Sequence, residues 1–463
     1  MSNAPVTVGD VRNEDRLVEL LQRHFVVQPH LLQSLVARFG KLAVSTKAPI
    51  SEPVMLLNVP GRIEVLGKHT DYAGGVSLTC ASRLSLVSLV TCHPSPSLIV
   101  SDAVRGIQIE LPYLDPQPVP DQSWSTYIVA VLNRLIRHFG MPSTGIAISL
   151  ESNLPSASGM SSSSGLIITI ALAILGKGGL PGGGEEGFTF SRERFAGFAG
   201  ALESGADFES YRGDAGVGTK GGSQDHAAIL CSEASQLGLY SYFPVKKETM
   251  VLLPEDVSFV VGSSGVKARK TGNAKRAYNR ASIRATQVVS AWNAMQQADA
   301  LNMGEMVSDP DFSRESLKEI LAMNGENDGL WNRFLQFDRE CHVIIPGALG
   351  ALSNQNWDAF GRFTDESQKM ADTWLQNQVE ETNDLVSLAR EAGALGASAF
   401  GAGFGGAVWA LVKRDNTEQF MTEWVHSFAK RYPARMSNAQ FFVDLPSHGV
   451  FTMGAPYFRF QSE

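Results

Sequence analysis

The stretch from Leu154 to Leu175 constrains this chain most. Its first part, Leu154-Pro155-Ser156-Ala157-Ser158-Gly159-Met160-Ser161-Ser162-Ser163-Ser164-Gly165, is built mainly of small residues and passes at once into the apolar run Leu166 to Leu175. A flexible Ser-rich linker has no reason to lead straight into an apolar helix. A small-residue loop that opens a helix does: it leaves several backbone N–H groups unpaired at the positive end of the helix dipole. That makes an anion site, and for a phosphate a strong one. The serine hydroxyls add donors and an oxygen ligand for a divalent cation. No Gly-Lys-Ser/Thr follows the glycine, so the loop is not of the Walker A kind. The apolar run is about half the roughly 20 residues that a membrane span needs, and it reads as a buried helix.

At 463 residues the chain is too long for one ordinary core, and two domains are expected. A net charge of −8 argues against a general surface for nucleic acid or anionic membrane, so any anion site must be local. Cys80, Cys92, Cys231 and Cys341 are scattered, with no paired or metal-type spacing, as expected of a reduced, cytoplasmic protein. Met1 to Asp10 lacks the apolar core of a signal peptide. The sequence leaves open whether the protein is a monomer or a dimer.

Four further segments stand out. Pro60-Gly61-Arg62-Ile63-Glu64-Val65-Leu66-Gly67-Lys68-His69-Thr70-Asp71-Tyr72-Ala73-Gly74-Gly75 reads as a strand that ends in clustered polar groups and turns on glycines. Such a segment is either a solvated hairpin or a ligand-presenting turn. The loop Asp207 to Gly222 runs into Ser223-Gln224-Asp225-His226 and the helical Ala227 to Cys231, where Asp225 taken alone reads as an N-cap. Gly401 to Gly406 spells GxGxxG, but a strand, Ala407 to Val412, follows it where dinucleotide binding requires a helix. The basic run Lys267, Arg269, Lys270, Lys275, Arg276, Arg280 and Arg284 is either a solvated helix face or a positive rim over a site.

Taken in chain order, Pro60 to Gly75, the serine loop, Gly222 to Asp225 and Gly401 to Gly406 resemble the motifs of galactokinases, within the GHMP kinase family. The first is similar to G-R-x-N-L-I-G-E-H-T-D-Y-N-x-G, with Lys68 for the glutamate and Ala73 for the asparagine. The serine loop is similar to P-x-G-A-G-L-S-S-S-A, from which Ala157, Ser158, Met160 and Ser164 depart. Gly222 and Asp225 match the G-I-M-D-Q segment, and Gly401 to Gly406 matches G-A-G-x-G-G. The resemblance implies an α+β fold of two domains, an N-terminal mixed α/β domain over 1–245 and a C-terminal α+β domain over 246–463, with the active site in the cleft between them. It implies an ATP- and Mg²⁺-dependent kinase acting on the anomeric hydroxyl of galactose or a close relative.

Roles then follow for named residues. Asp225 is the expected catalytic carboxylate, with Arg62 stabilising the transferring group and holding Asp225 ionised. Ser158, Gly159, Met160, Ser161, Ser162 and Ser163 are expected to hold phosphates, with Gly403 and Gly405 turning beside them. Trp124 and Tyr127 match an aromatic pair against the adenine, although helix packing would account for them equally. Ser163 and Glu203 are the expected Mg²⁺ ligands, with Glu209 as the other candidate carboxylate. Lys68, His69, Asp71, Gly222 and Tyr278 are expected at the sugar. Lys68 reverses the charge of the glutamate that faces the C6 hydroxyl, which raises a uronic-acid 1-kinase as an alternative. The blander account has Lys68 paired inside the protein. A catalytically silent sugar sensor is the rival from another class, and the presence of Arg62, Ser161 to Ser163 and Asp225 favours an enzyme.

Overall fold

The structure is a computed structural model and describes residues 5–25, 29–114, 124–155, 159–266, 272–323 and 328–461. Its organising element is the strand Met55–Leu66, twelve residues that, at about 3.3 Å each, reach some 40 Å. Side chains alternate along it. Met55, Leu57 and Val59 enter the core beneath the helices Ser125–Phe139, Ser162–Lys177 and Arg192–Ser204. Leu56, between them, faces the N-terminal helices Val8–Arg12, Glu14–His24 and Pro29–Ser45. The neighbouring strand Val76–His93 repeats the pattern, with Leu86 and Val90 on one face and Val87 and Leu89 on the other. Apolar cover on both faces explains why these strands read as continuous hydrophobic runs.

Among the described residues the first sheet has eight strands. Val76–His93 is its longest strand, flanked by Met55–Leu66 on one side and by Gly145–Ser152 and Gln236–Ser241 on the other. Ser97–Asp102 runs parallel to Gly145–Ser152 and is followed by Ile107–Pro112. The second sheet is antiparallel and four-stranded, in the order Gly396–Phe400, Ala407–Lys413, Val257–Ser263, Gln440–Asp444. Past the irregularity at Pro60/Arg62, Ile63 and Val65 leave the first core and pack with Phe259, Val261 and Trp409 of the second sheet. One strand therefore belongs to both halves, and its polar residues fall between them.

The change of sheet occurs between Leu252 and Val257, because Lys246–Leu252 still pairs with Gln236–Ser241. The expected division at 245/246 thus falls inside that hairpin. Phe451–Met453, near the far end of the chain, returns to the first sheet beside Met55–Leu66. The helix opened by the serine loop spans Ser162–Lys177, and every residue from Ser164 to Lys177 is buried. Among the described residues, no helix is long and apolar enough to cross a membrane.

Candidate active site

A cavity of about 530 Å³ lies where the strand Met55–Leu66, the serine loop, the start of the helix Gln224–Cys231 and the Gly401 turn meet. Arg62 is 3 % exposed, and two of its nitrogens, Nε and Nη2, each lie 2.7 Å from Asp225 Oδ1. Arg62 also donates through Nη1 to the carbonyl of Gly159. The second oxygen of Asp225 accepts from Ser164 Oγ at 3.3 Å, and the same hydroxyl lies 2.7 Å from Glu203 Oε2. His226 Nε2 is 3.2 Å from that Glu203 oxygen. Asp225 is not the N-cap: Ser223 holds that position and Asp225 sits in the first turn, projecting into the cavity.

The serine loop turns on positive φ at Gly159 (79°) and at Ser161 (61°), which caps the helix. Gly159 lies against the Gly401 turn, where a Cβ on Gly401 would come within 2.8 Å of the Gly159 carbonyl oxygen. Glycine is required there by close backbone approach. Ser161 Oγ is buried without a hydrogen-bond partner among the described residues, while Ser162 and Ser163 line the cavity. Ser164, a departure from the motif, is the serine that links the two acids. Ser158 lies outside the described residues. Met160 is 1 % exposed in the core shared by the two halves and does not line the cavity. Gly403 and Gly405 are also set back, packed on Asn377 and Val266, and the wall is made instead by Gly401 and Ala402. A backbone that must turn sharply presents only one part of its motif to the cavity.

At one end, Asp71 is buried and accepts from the Gln224 amide at 3.1 Å. Burial pushes its carboxyl above the usual range, the Gln224 and Tyr72 amides oppose this, and the nearby Asp225 charge adds to it. Gly222 is needed beside it, since a Cβ there would lie 2.5 Å from Asp71 Oδ2. His69 adopts a φ of 57°, with Nδ1 at 2.7 Å from the Tyr72 hydroxyl and Nε2 at 3.2 Å from the Ala402 carbonyl. Tyr278 completes this end, its ring centroid 5.1 Å from that of His69. The strained turn is clamped from the other half of the chain: Arg333 donates to the His69 carbonyl at 2.6 Å, Gln336 to the Lys68 carbonyl at 3.0 Å, and Glu340 accepts from the Gly67 amide at 2.7 Å. Trp124, Tyr127, Val104, Arg105 and Asp102 also line the cavity.

Lys68 is the main correction. It does not line the cavity, is 1 % exposed, and its Nζ donates to Ser398 Oγ at 2.7 Å and Ser367 Oγ at 3.2 Å. Burial lowers its pKa, with the charges of Glu340 and Glu64 opposing the effect. The geometry matches the blander reading of this residue, and the cation for a substrate carboxylate disappears with it. Glu209 pairs with Arg194 at 2.7 Å on the surface, away from the cavity that Glu203 lines. Of the basic run, Lys267, Arg269 and Lys270 lie outside the described residues, and Arg276 and Arg280 are exposed and do not line the cavity. Glu64, which does line it, stands at the first asparagine of the motif and is a further polar departure alongside Lys68 and Ala73. That mismatch was the available signal for it; Asp102 and Arg105 carried none.

Comparison with known proteins identifies the family. Residues 126–233 match the GHMP kinases N terminal domain, 348–430 the GHMP kinases C terminal domain, and 48–91 the galactokinase galactose-binding signature. Galactokinase of Mycobacterium bovis is 28 % identical over 362 residues, covering 77 % of this chain and 88 % of that protein. Galactokinase of Thermococcus kodakarensis is 26 % identical over 401 residues, covering 85 % and 99 %. The crystal structure of Lactococcus lactis galactokinase complexed with galactose superposes with a TM-score of 0.72 at 21 % identity, over 91 % of this chain and 99 % of that one. The chain belongs to the GHMP kinase family and has its two-domain fold. Within that family it is a galactokinase-like sugar kinase, a phosphotransferase with an alcohol group as acceptor.

Proposed function

We propose that the protein transfers the γ-phosphate of ATP to the anomeric hydroxyl of galactose or a close neutral relative. The observation that carries this reading is the placement of Asp225, held by Arg62 on one oxygen and by Ser164 on the other, between the serine loop and the Asp71–His69–Tyr278 end of one cavity. Phosphoryl transfer needs positioning and charge stabilisation more than covalent chemistry by the protein. Asp225 orients the sugar hydroxyl and takes its proton. Arg62 stabilises the charge that develops on the transferring group. Asp71, His69 and Tyr278 read other sugar hydroxyls, and Trp124 and Tyr127 flank the adenine.

The residues fit a nucleotide with a divalent cation. Ser161 Oγ is a buried donor at a helix start, without a partner among the described residues, and Glu203 lies one serine away from Asp225. Ser163 and Glu203 would hold Mg²⁺, which uses few protein carboxylates when phosphate oxygens complete its shell. When bound, the cation neutralises phosphate charge. The uronic-acid alternative loses its support with Lys68 buried against Ser367 and Ser398. A silent sensor is disfavoured by the intact set of Arg62, Ser161, Asp225 and Glu203 around one cavity.

The test is ATP turnover with a panel of aldohexoses and uronic acids, the product located by phosphorus–carbon coupling. Phosphate on C1 of a galactose-type sugar is the expected result. No turnover with any sugar, or phosphate on another carbon, sinks the assignment.

A further inference from the structure

Arg62 and Glu64 are two residues apart on one strand and so share a face, while Ile63 and Val65 point to the apolar core behind. Glu64 lines the cavity yet is only 3 % exposed, and its Oε1 is buried without a hydrogen-bond partner among the described residues. Its cross-strand neighbour is Thr79, whose hydroxyl is also buried and has no partner among the described residues, so this donor on the ladder is not used by Glu64. Buried polar atoms are nearly always satisfied, and one that faces a ligand cavity has a ligand or an ordered water as its available partner.

We propose that Glu64 is a specificity-determining residue of the sugar subsite: its carboxyl group accepts a hydrogen bond from one hydroxyl of a neutral sugar and repels a sugar that bears a carboxylate. This rests on the sugar-kinase reading above and narrows its substrate class. The charges around the subsite point the same way. Glu64, Asp71, Glu203 and Asp225 all line this cavity, and Arg62 is already engaged by Asp225. Lys68, the cation nearest in sequence, is turned towards Ser367 and Ser398. Burial raises the Glu64 carboxyl to about 7, with Arg62 and Lys68 opposing and Asp225 and Glu340 adding, so the charge that repels an acidic sugar develops as pH rises past that value.

The experiment compares the full-length enzyme with Glu64→Ala and Glu64→Gln, each checked for folding by its thermal melt. Kinetics are measured with ATP, the best neutral hexose, its monodeoxy analogues and the corresponding uronate. Glu64→Ala is expected to raise KM for the sugar by about tenfold or more, leaving KM for ATP unchanged, and Glu64→Gln, which keeps an acceptor oxygen, to recover part of the loss. One monodeoxy sugar should be penalised by the wild type but not further by Glu64→Ala, the mark of a shared contact. The wild type should use the uronate at least about tenfold less well than the neutral hexose. If every analogue loses the same factor on wild type and variants, or the uronate is used as well as the hexose, the Glu64 role is wrong while the kinase reading stands. Absence of turnover with any sugar overturns the kinase reading itself, and Glu64's role with it.

Discussion

Two nitrogens of Arg62 converge on the same oxygen of Asp225, each at 2.7 Å, leaving the other oxygen to Ser164. Arg62 lies on a strand and Asp225 in the first turn of a helix more than 160 positions away in sequence. The pair fixes the carboxylate without consuming both of its oxygens, and that suits a group which must also meet a substrate hydroxyl.

Asp225→Asn keeps the shape and removes the proton acceptor. Its kcat should fall by about 10² to 10⁴, with KM for ATP little changed. Steady-state kinetics check this; a variant with near wild-type kcat would remove Asp225 from the chemistry.

Lys68→Met should act on stability rather than on substrate choice. The ammonium is buried and bonded to Ser367 and Ser398, with Glu340 and Glu64 as the charges it offsets. Losing it should cost about 3 kcal/mol, as for a buried charge left without its counterpart. The ratio of kcat/KM for galactose to that for galacturonate should stay where it is. Lys68→Glu should fold worse still, by placing a carboxylate beside Glu340. Denaturant melts and paired substrate assays measure both effects.

Glu64 predicts a pH dependence of stability in the ligand-free protein. Its carboxyl is raised from the ordinary 4.5 to about 7, by burial first, and by Asp225 and Glu340 against Arg62 and Lys68. The folded state therefore binds the proton more tightly than the unfolded state. Stability from this group is complete below pH about 4.5 and is lost as pH rises towards 7, by up to about 1.4 kcal/mol per pH unit. Glu64→Gln cannot ionise, so its melting temperature relative to wild type should rise between pH 5 and pH 8. A flat difference across that range would contradict the shift.

Trp124→Ala should raise KM for ATP by roughly 5- to 100-fold, the range expected for loss of stacking on a base. KM for the sugar should hold, because the bonds that set Asp71 and His69 run to Gln224, Tyr72 and Ala402 and not to Trp124. Equal losses for both substrates would point to a packing role at the start of its helix.

The positions of Arg62, Asp71, Asp225 and Glu203 at one cavity follow from short motifs that ride on regular elements, which is why the sequence locates them. Lys68 was misplaced because a motif position says nothing of which way a side chain leaves a turn whose His69 has a φ of 57°. Met160, Gly403 and Gly405 fell out for a related reason: a tight turn needs residues that shape it and face away from the ligand. Arg333, Gln336 and Glu340 reach the sugar turn from some 270 positions along the chain, a contact that local pattern cannot reveal.

The strand Phe451–Met453 closes against Met55–Leu66, the same strand whose far end packs into the second sheet. Cutting the polypeptide at its midpoint would strip the earlier fragment of an edge strand and the later one of a share of its apolar interior. Unfolding should accordingly be a single concerted event for both lobes, and the catalytic cleft cannot be rebuilt by expressing either lobe alone.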